Sequence, residues 1–389
     1  MTTHPRLPDA IQWLRELVAF DTIPSHNNIN LVRYVETKLR EININSTICP
    51  TNDGGKASLL ATIGPTVDGG VVLSGHTDVV DTAGQQWATP PFELCESNGR
   101  LYARGSCDMK GFVACALAMA PVFSAATLSR PIHLAFSRDE ETGCLGSADI
   151  LALLKDSGMK PAAAIVGEPT HMKIIAGHKS GVSVKTIFHG VPAHSATPAA
   201  GISAIRFAAR FITHLESLET DLRRRAPADS PFVPPHATVN TGVITGGTAL
   251  NIIAARCEVN WHYRGMPSDK PEDFVAQVED FLQNTLLPEM RASGHPATIE
   301  NIVNSFEPAL APRPDSPAHQ IAVKLTGNTD SDVVPFCTEA GHFQQDGISA
   351  VVIGPGDIAQ AHKPDEYIEI SQLAECLHFL DNLCTHLTT

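Results

Sequence analysis

The chain reads as an α/β fold with a smaller α+β domain inserted into it, and three observations carry that reading. Over the first 179 residues, short apolar runs alternate with stretches of helical spacing, as expected for buried sheet strands with helices on their faces. Near residue 180 the pattern changes to β-α-β-β-α-β, a ferredoxin-like order. From about residue 307 the α/β pattern returns. The expected domains are therefore residues 1–179 with 307–389, and residues 180–306. A chain of 389 residues suits about two cores.

Each element has its own signal. Residues 9–20 and 28–41 carry helical spacing, with Leu31, Val35 and Leu39 on one face. Apolar runs at 70–74, 132–137 and 162–166 read as buried strands, and 111–120 and 147–155 as helices between them. Residues 181–189 alternate like a half-buried strand, and 201–217 reads as a helix. Strands at 236–245 and 254–264 flank Gly246-Gly247, followed by a helix at 271–286 and a strand at 297–305. A helix at 315–326, a strand at 349–353 and a helix at 371–385 complete the expected order.

Composition removes several function classes. The longest apolar stretch, 112–123, contains Pro121 and is too short for a bilayer, so no membrane partner is expected. The first residues lack a basic segment followed by an uninterrupted apolar one, so no signal peptide is expected, and the scattered cysteines fit reduced thiols in a cytoplasm. The 28 basic and 42 acidic residues give a net charge of −14, which disfavours nucleic acid. Nine scattered cysteines with no CxxC pair indicate neither a disulfide framework nor a zinc ribbon.

The chemistry lies just after the strands. His76-Thr77-Asp78 follows the first, and Asp139-Glu140-Glu141 follows the run at 132–137. Glu168 follows the run at 162–166, and His362 comes nine residues after Ile353. Asp108 stands just before the helix that begins near Lys110. In open α/β sheets, sites form outside the carboxyl ends of the strands, so these groups are placed to converge. Two imidazoles with three or more carboxylates suit zinc, cobalt or manganese. Singly each signal is weak, since a loop histidine is more often a surface or hydrogen-bonded residue and a Glu-Glu pair is usually solvated.

The phrases GHTDVV, RGSCDMKG, DEETG, GEPT, TEAGHF and GPGDIAQAHKPDEYIE, with GVPAHSATP and GGTALNII in the second domain, span about residues 70 to 370. Together they resemble the metal-dependent aminoacylase/carboxypeptidase family, peptidase M20. The resemblance implies a mixed-sheet metallohydrolase domain carrying an inserted ferredoxin-like dimerisation (lid) domain. It implies two divalent ions, zinc before cobalt: His76, Asp108 and Glu168 on one, and Asp108, Glu141 and His362 on the other. Asp78 would hold the second ring nitrogen of His76, and Glu140 would be the general base. His194 would donate to the oxyanion from the partner subunit of a homodimer, while Asn251 and Arg264 would meet the substrate carboxylate. The implied reaction is hydrolysis of a small N-acyl amino acid, N2-acetyl-L-ornithine first. Acetylcitrulline, succinyl-diaminopimelate and general N-acyl amino acids are alternatives, as is a non-catalytic binding protein on the same fold.

The chain departs from the family pattern at three points. Asp81 stands where proline is usual after DVV, and Cys107 occupies a position that is usually small and not a thiol. A thiol there is expected to be oxidation-sensitive. His262 lies two residues before Arg264, where an acidic residue is usual, which puts the local hydrogen bonding in question.

Overall fold

The computed structural model describes residues 3–388. Two compact units emerge. One comprises the chain up to Gly177 with Leu310–Val333 and the segment from Thr338 onward; the other comprises His178–Ala309 with Val334–Cys337. The apolar pattern does not mark the short return at 334–337.

The first unit is built on a mixed eight-stranded sheet. Its spatial order is Ser46–Pro50, Ala57–Ile63, Ile132–Ser137, Val71–His76, Ala163–Val166, Ser349–Val352, Ile174–His178 and Ser331–Val334. The four central strands run parallel, and antiparallel neighbours flank them. Val71–His76 and Ile132–Ser137 are buried at every position, as parallel strands covered on both faces should be. Because these strands point the same way, the segments that follow His76, Ser137, Val166 and Val352 leave from one end of the sheet.

The helix Lys110–Ala125 supplies the main packing surface, with Phe112, Leu117 and Phe123 in the core. It runs past the expected end at residue 120 and straight through Pro121. Proline there forfeits one backbone hydrogen bond, but Phe123 beyond it is fully buried, and tertiary packing overrides the local penalty. Strands Ser46–Pro50, Ala57–Ile63 and Ile174–His178 add to those the apolar runs mark.

In the second unit, Gly181–His189, Thr238–Gly246, Arg256–Arg264 and Thr298–Glu307 form one antiparallel sheet with the first and third strands at its centre. Its first helix begins at Ala204, where the Ser203 hydroxyl accepts the Arg206 N–H. That helix runs to Arg224 because Leu215 and Leu218 stay on the buried face. Val243 and Ile244 are exposed on the outer strand Thr238–Gly246.

Candidate metal centre

His76 ends its strand with 1% exposure. Its Nδ1–H donates to the Asp78 carbonyl oxygen at 2.9 Å, which leaves the lone pair of a neutral ring on Nε2. That nitrogen faces Asp108 Oδ1 at 3.0 Å and Glu168 Oε1 at 3.7 Å. The other oxygen of Asp108 lies 3.3 Å from His362 Nε2, which is also 3.2 Å from Glu141 Oε2. Two groups of three result, His76/Asp108/Glu168 and Asp108/Glu141/His362, each with donor atoms within 4.8 Å of one another.

This arrangement demands positive charge. A lone pair opposed to two carboxylates is repulsive unless a proton or a cation lies between them. Burial pushes the His76 pKa down, but the hydrogen bond to Asp108 and the charges of Glu168 and Asp78 raise it well above the usual value. His362 is lifted to about 10 by Asp108 and Glu141. Burial among like charges pushes Glu140 and Glu168 strongly upward, and Glu141 also rises. Glu141 Oε1 is buried with no hydrogen-bond partner among the described residues. Imidazole and carboxylate donors with an orphan oxygen fit divalent zinc or a similar ion.

A third cluster, His4, His378 and Asp381, is equally close-set but has the wrong proton arrangement. His4 Nδ1 accepts the Arg6 N–H at 3.1 Å, so Nε2 carries the proton and donates to Asp381 at 2.7 Å. A metal at Nε2 would need that proton removed and the opposite tautomer. The cluster is explained as a hydrogen-bonded tie between the N-terminal segment and the helix Ile370–Thr388.

Asp78 differs from expectation. Its carboxylate lies 3.7 Å from His76 Nδ1, and the hydrogen bond to that nitrogen comes from its main-chain carbonyl. The two carboxylate oxygens instead accept the N–H groups of Glu140 and Glu141, both at 3.0 Å. The side chain turns away because two converging peptide donors satisfy a buried carboxylate better than one shared ring nitrogen. Asp78 thus orients Glu140 and Glu141. Asp139, in the left-handed region at φ 52°, pins the same loop through ion pairs with Lys56 and Arg138.

Glu168 owes its place to glycine. A Cβ on Gly167 would lie 2.0 Å from the Phe112 ring, and one on Gly354 would lie 2.0 Å from the Gly167 carbonyl oxygen. Two strand exits can approach so closely only without side chains. Cys107 is 1% exposed, and its thiol donates to the Asp357 carbonyl at 3.4 Å. Burial pushes its pKa well up, so the expected oxidation-sensitive thiol is instead a neutral, shielded one. Asp81 is an exposed turn residue that accepts the Ala83 N–H.

The remaining predicted residues belong to the second unit. His194 and Asn251 come from paired segments: His194 bridges Ile252, and Ser195 N–H donates to the Asn251 carbonyl at 3.0 Å. His194 Nδ1 accepts the Ala196 N–H at 3.0 Å, so Nε2–H is its free donor. Arg264 ends the strand Arg256–Arg264, and its Nη1 contacts Cys337 Sγ at 3.4 Å. Burial, and then Arg264, holds His262 down to about 4, so the ring beside Arg264 is neutral.

Three buried groups escaped sequence reasoning. Glu339, 1% exposed, accepts hydroxyls from Ser74 and Ser147. Arg104 and Glu366 form an ion pair at 2.7 Å. Arg104 and Glu366 lie inside phrases that also carry Asp108 and His362, and that proximity is their one signal in the sequence; Glu339 lies in TEAGHF, which carries no predicted site residue.

Known proteins resemble this chain in sequence and in fold. Residues 72–386 match peptidase family M20/M25/M40. The acetylornithine deacetylase of Myxococcus xanthus is 34% identical, covering 98% of each chain. That of Proteus mirabilis is 33% identical over 94% of this chain and 93% of its own. Among solved structures, an M20 metallo-carboxypeptidase from Sulfolobus solfataricus superposes with a TM-score of 0.77 at 18% identity over 99% of both chains. A Staphylococcus aureus tripeptidase gives 0.74 at 17% identity over 98% of both. With its mixed sheet, its carboxylate–imidazole centre and a family match across most of its length, this chain belongs to peptidase family M20/M25/M40 and is a metal-dependent hydrolase.

Proposed function

We propose that this enzyme removes the N-acyl group of an amino acid, acting on N2-acetyl-L-ornithine to release acetate and L-ornithine for arginine synthesis in the cytoplasm. The pair of triads sharing Asp108, with Glu140 beside them, carries the chemistry. The substrate rests on acetylornithine deacetylases at 31–34% identity over nearly the whole chain.

His76, Asp108 and Glu168 would hold one divalent cation, and Asp108, Glu141 and His362 the second, with zinc favoured and cobalt the alternative. Two such ions, when bound, lower the pKa of water and polarise an amide carbonyl. Glu140 takes the proton of the attacking water on its carboxylate and passes it to the leaving amine nitrogen. Burial pushes its pKa upward, which helps it hold that proton between the two steps. His194 offers Nε2–H to the developing oxyanion, because Nδ1 is committed to Ala196. Arg264 and Asn251 receive the substrate carboxylate. His194 comes from the partner subunit of a homodimer, a reading supported by the exposed Val243 and Ile244 on an outer strand.

Initial rates on a panel of acylated amino acids, with zinc or cobalt present, test the reaction. N2-acetyl-L-ornithine should give the highest kcat/KM, and exhaustive chelation should abolish turnover until metal is restored. Undiminished hydrolysis by metal-free protein would end the mechanism, whereas preference for another acyl amino acid would change only the substrate. For the dimer, inactive Glu140→Ala and His194→Ala are mixed after reversible dissociation. Random pairing makes about half the dimers mixed, so about a quarter of all sites should recover. Mixed dimers without activity would place His194 in its own subunit's site.

A further inference from the structure

The Arg104–Glu366 pair takes no part in the chemistry above, yet its side chains are 1% and 0% exposed. A buried ion pair stabilises a fold no better than apolar packing of the same volume, so its hydrogen-bond branches point to another purpose. One branch reaches the segment carrying Asp108: Glu366 Oε1 accepts the N–H groups of Cys107 at 2.9 Å and Asp108 at 3.0 Å. The other reaches the loop carrying His362. Arg104 Nη1 donates to the Lys363 carbonyl at 3.3 Å, and Nη2 donates to Gln85 Oε1 at 2.6 Å. Gln85 Nε2 in turn donates to the His362 carbonyl at 3.1 Å. Trp87 Nε1–H also donates to Gln85 Oε1, and its ring lies 5.1 Å from the guanidinium carbon.

We propose that Arg104, Glu366 and Gln85 are positioning residues that hold Asp108 and His362 in register, and so set the affinity of the cation position formed by Asp108, Glu141 and His362. This rests on the two-cation reading above. The other position shares Asp108, whose N–H stays on Glu366 in both variants below, and its remaining ligands need less support, since His76 ends a buried strand and Glu168 lies between glycine-packed exits. His362 has a side chain 55% exposed, and both it and Asp365 adopt left-handed backbone at φ 63° and 56°. Such a loop keeps its geometry only when its surroundings impose it.

Two variants separate positioning from folding. Gln85→Glu keeps the acceptor for Arg104 and Trp87 and removes the donor to the His362 carbonyl. Arg104→Lys keeps a cation beside Glu366 and loses the fork that spans Gln85 and Lys363. Metal-free wild type and both variants are titrated with zinc against a chromophoric chelator, and thermal unfolding of the metal-free proteins is followed in parallel. The expected result is one zinc bound as in wild type and the second weakened about 10- to 100-fold, at unchanged Tm. Two zinc ions bound as tightly as in wild type would overturn the proposal. Equal weakening of both ions with a lowered Tm would also overturn it, leaving a structural pair. A wild type that binds no zinc would overturn the two-cation reading, and this proposal with it.

Discussion

At the scale of the residue, neighbours in sequence diverge in role because the backbone aims them differently. Glu140 and Glu141 have their peptide N–H groups fixed by the two oxygens of Asp78, so their side chains leave the loop in set directions. Glu141 reaches His362 Nε2 at 3.2 Å, and Glu140 Oε1 accepts the Cys144 thiol at 3.4 Å. Glu140→Ala should therefore leave the loop in place, because Asp78 holds it by backbone alone. We expect metal content to stay at the wild-type level while kcat falls by roughly two to four orders of magnitude. Loss of one metal from a folded Glu140→Ala variant would show that the two glutamates have exchanged roles.

At the scale of the element, the centre depends on how closely parallel strands can deliver their exits. Ala163–Val166 and Ser349–Val352 are paired in register, and just beyond them Gly354 packs directly against the backbone of Gly167 and Glu168. The obstacle to a Gly354→Ala methyl group is backbone, the carbonyl oxygens of Gly167 at 2.0 Å and Glu168 at 2.5 Å. Neither can rotate aside as a side chain would, so the exits must separate. Gly354→Ala should lose about 1–3 kcal/mol of stability in urea unfolding and weaken zinc at the position served by Glu168. Wild-type stability together with wild-type zinc affinity would show that the exits have more slack than their packing implies.

At the scale of the whole molecule, buried neutral imidazoles make stability depend on pH. Burial lowers His133 and His342 to about 4, and burial with Arg264 does the same for His262. Unfolded, each titrates near its ordinary value of about 6.5. The stability they contribute is complete above that pH and is lost as pH falls toward 4, because only the unfolded chain takes up the proton in that window. Each site can contribute a slope of up to about 1.4 kcal/mol per pH unit. His133 Nε2 has no hydrogen-bond partner among the described residues, so His133→Leu should flatten the loss between pH 6.5 and 4 in denaturant titrations. An unchanged slope in that variant would remove His133 from the account.

The α/β class, the β-α-β-β-α-β order of the inserted segment, the placement of His76, Glu141, Glu168 and His362 after strands and that of Asp108 before a helix were legible in the sequence. They depend on local periodicity and on short phrases, and a strand's side chains and exit are encoded within a few residues of each other. Where the side chains point was decided by contacts from far along the chain. The Asp78 carboxylate leaves His76 for two peptide groups some 60 residues away, the helix Lys110–Ala125 survives Pro121 because of what packs on Phe123, and Arg104 finds Glu366 across 262 residues. Local pattern sets which residues arrive at the end of the sheet. Only the folded chain sets which hydrogen-bond partner satisfies each buried charge, because that choice is made among groups that meet solely through tertiary packing.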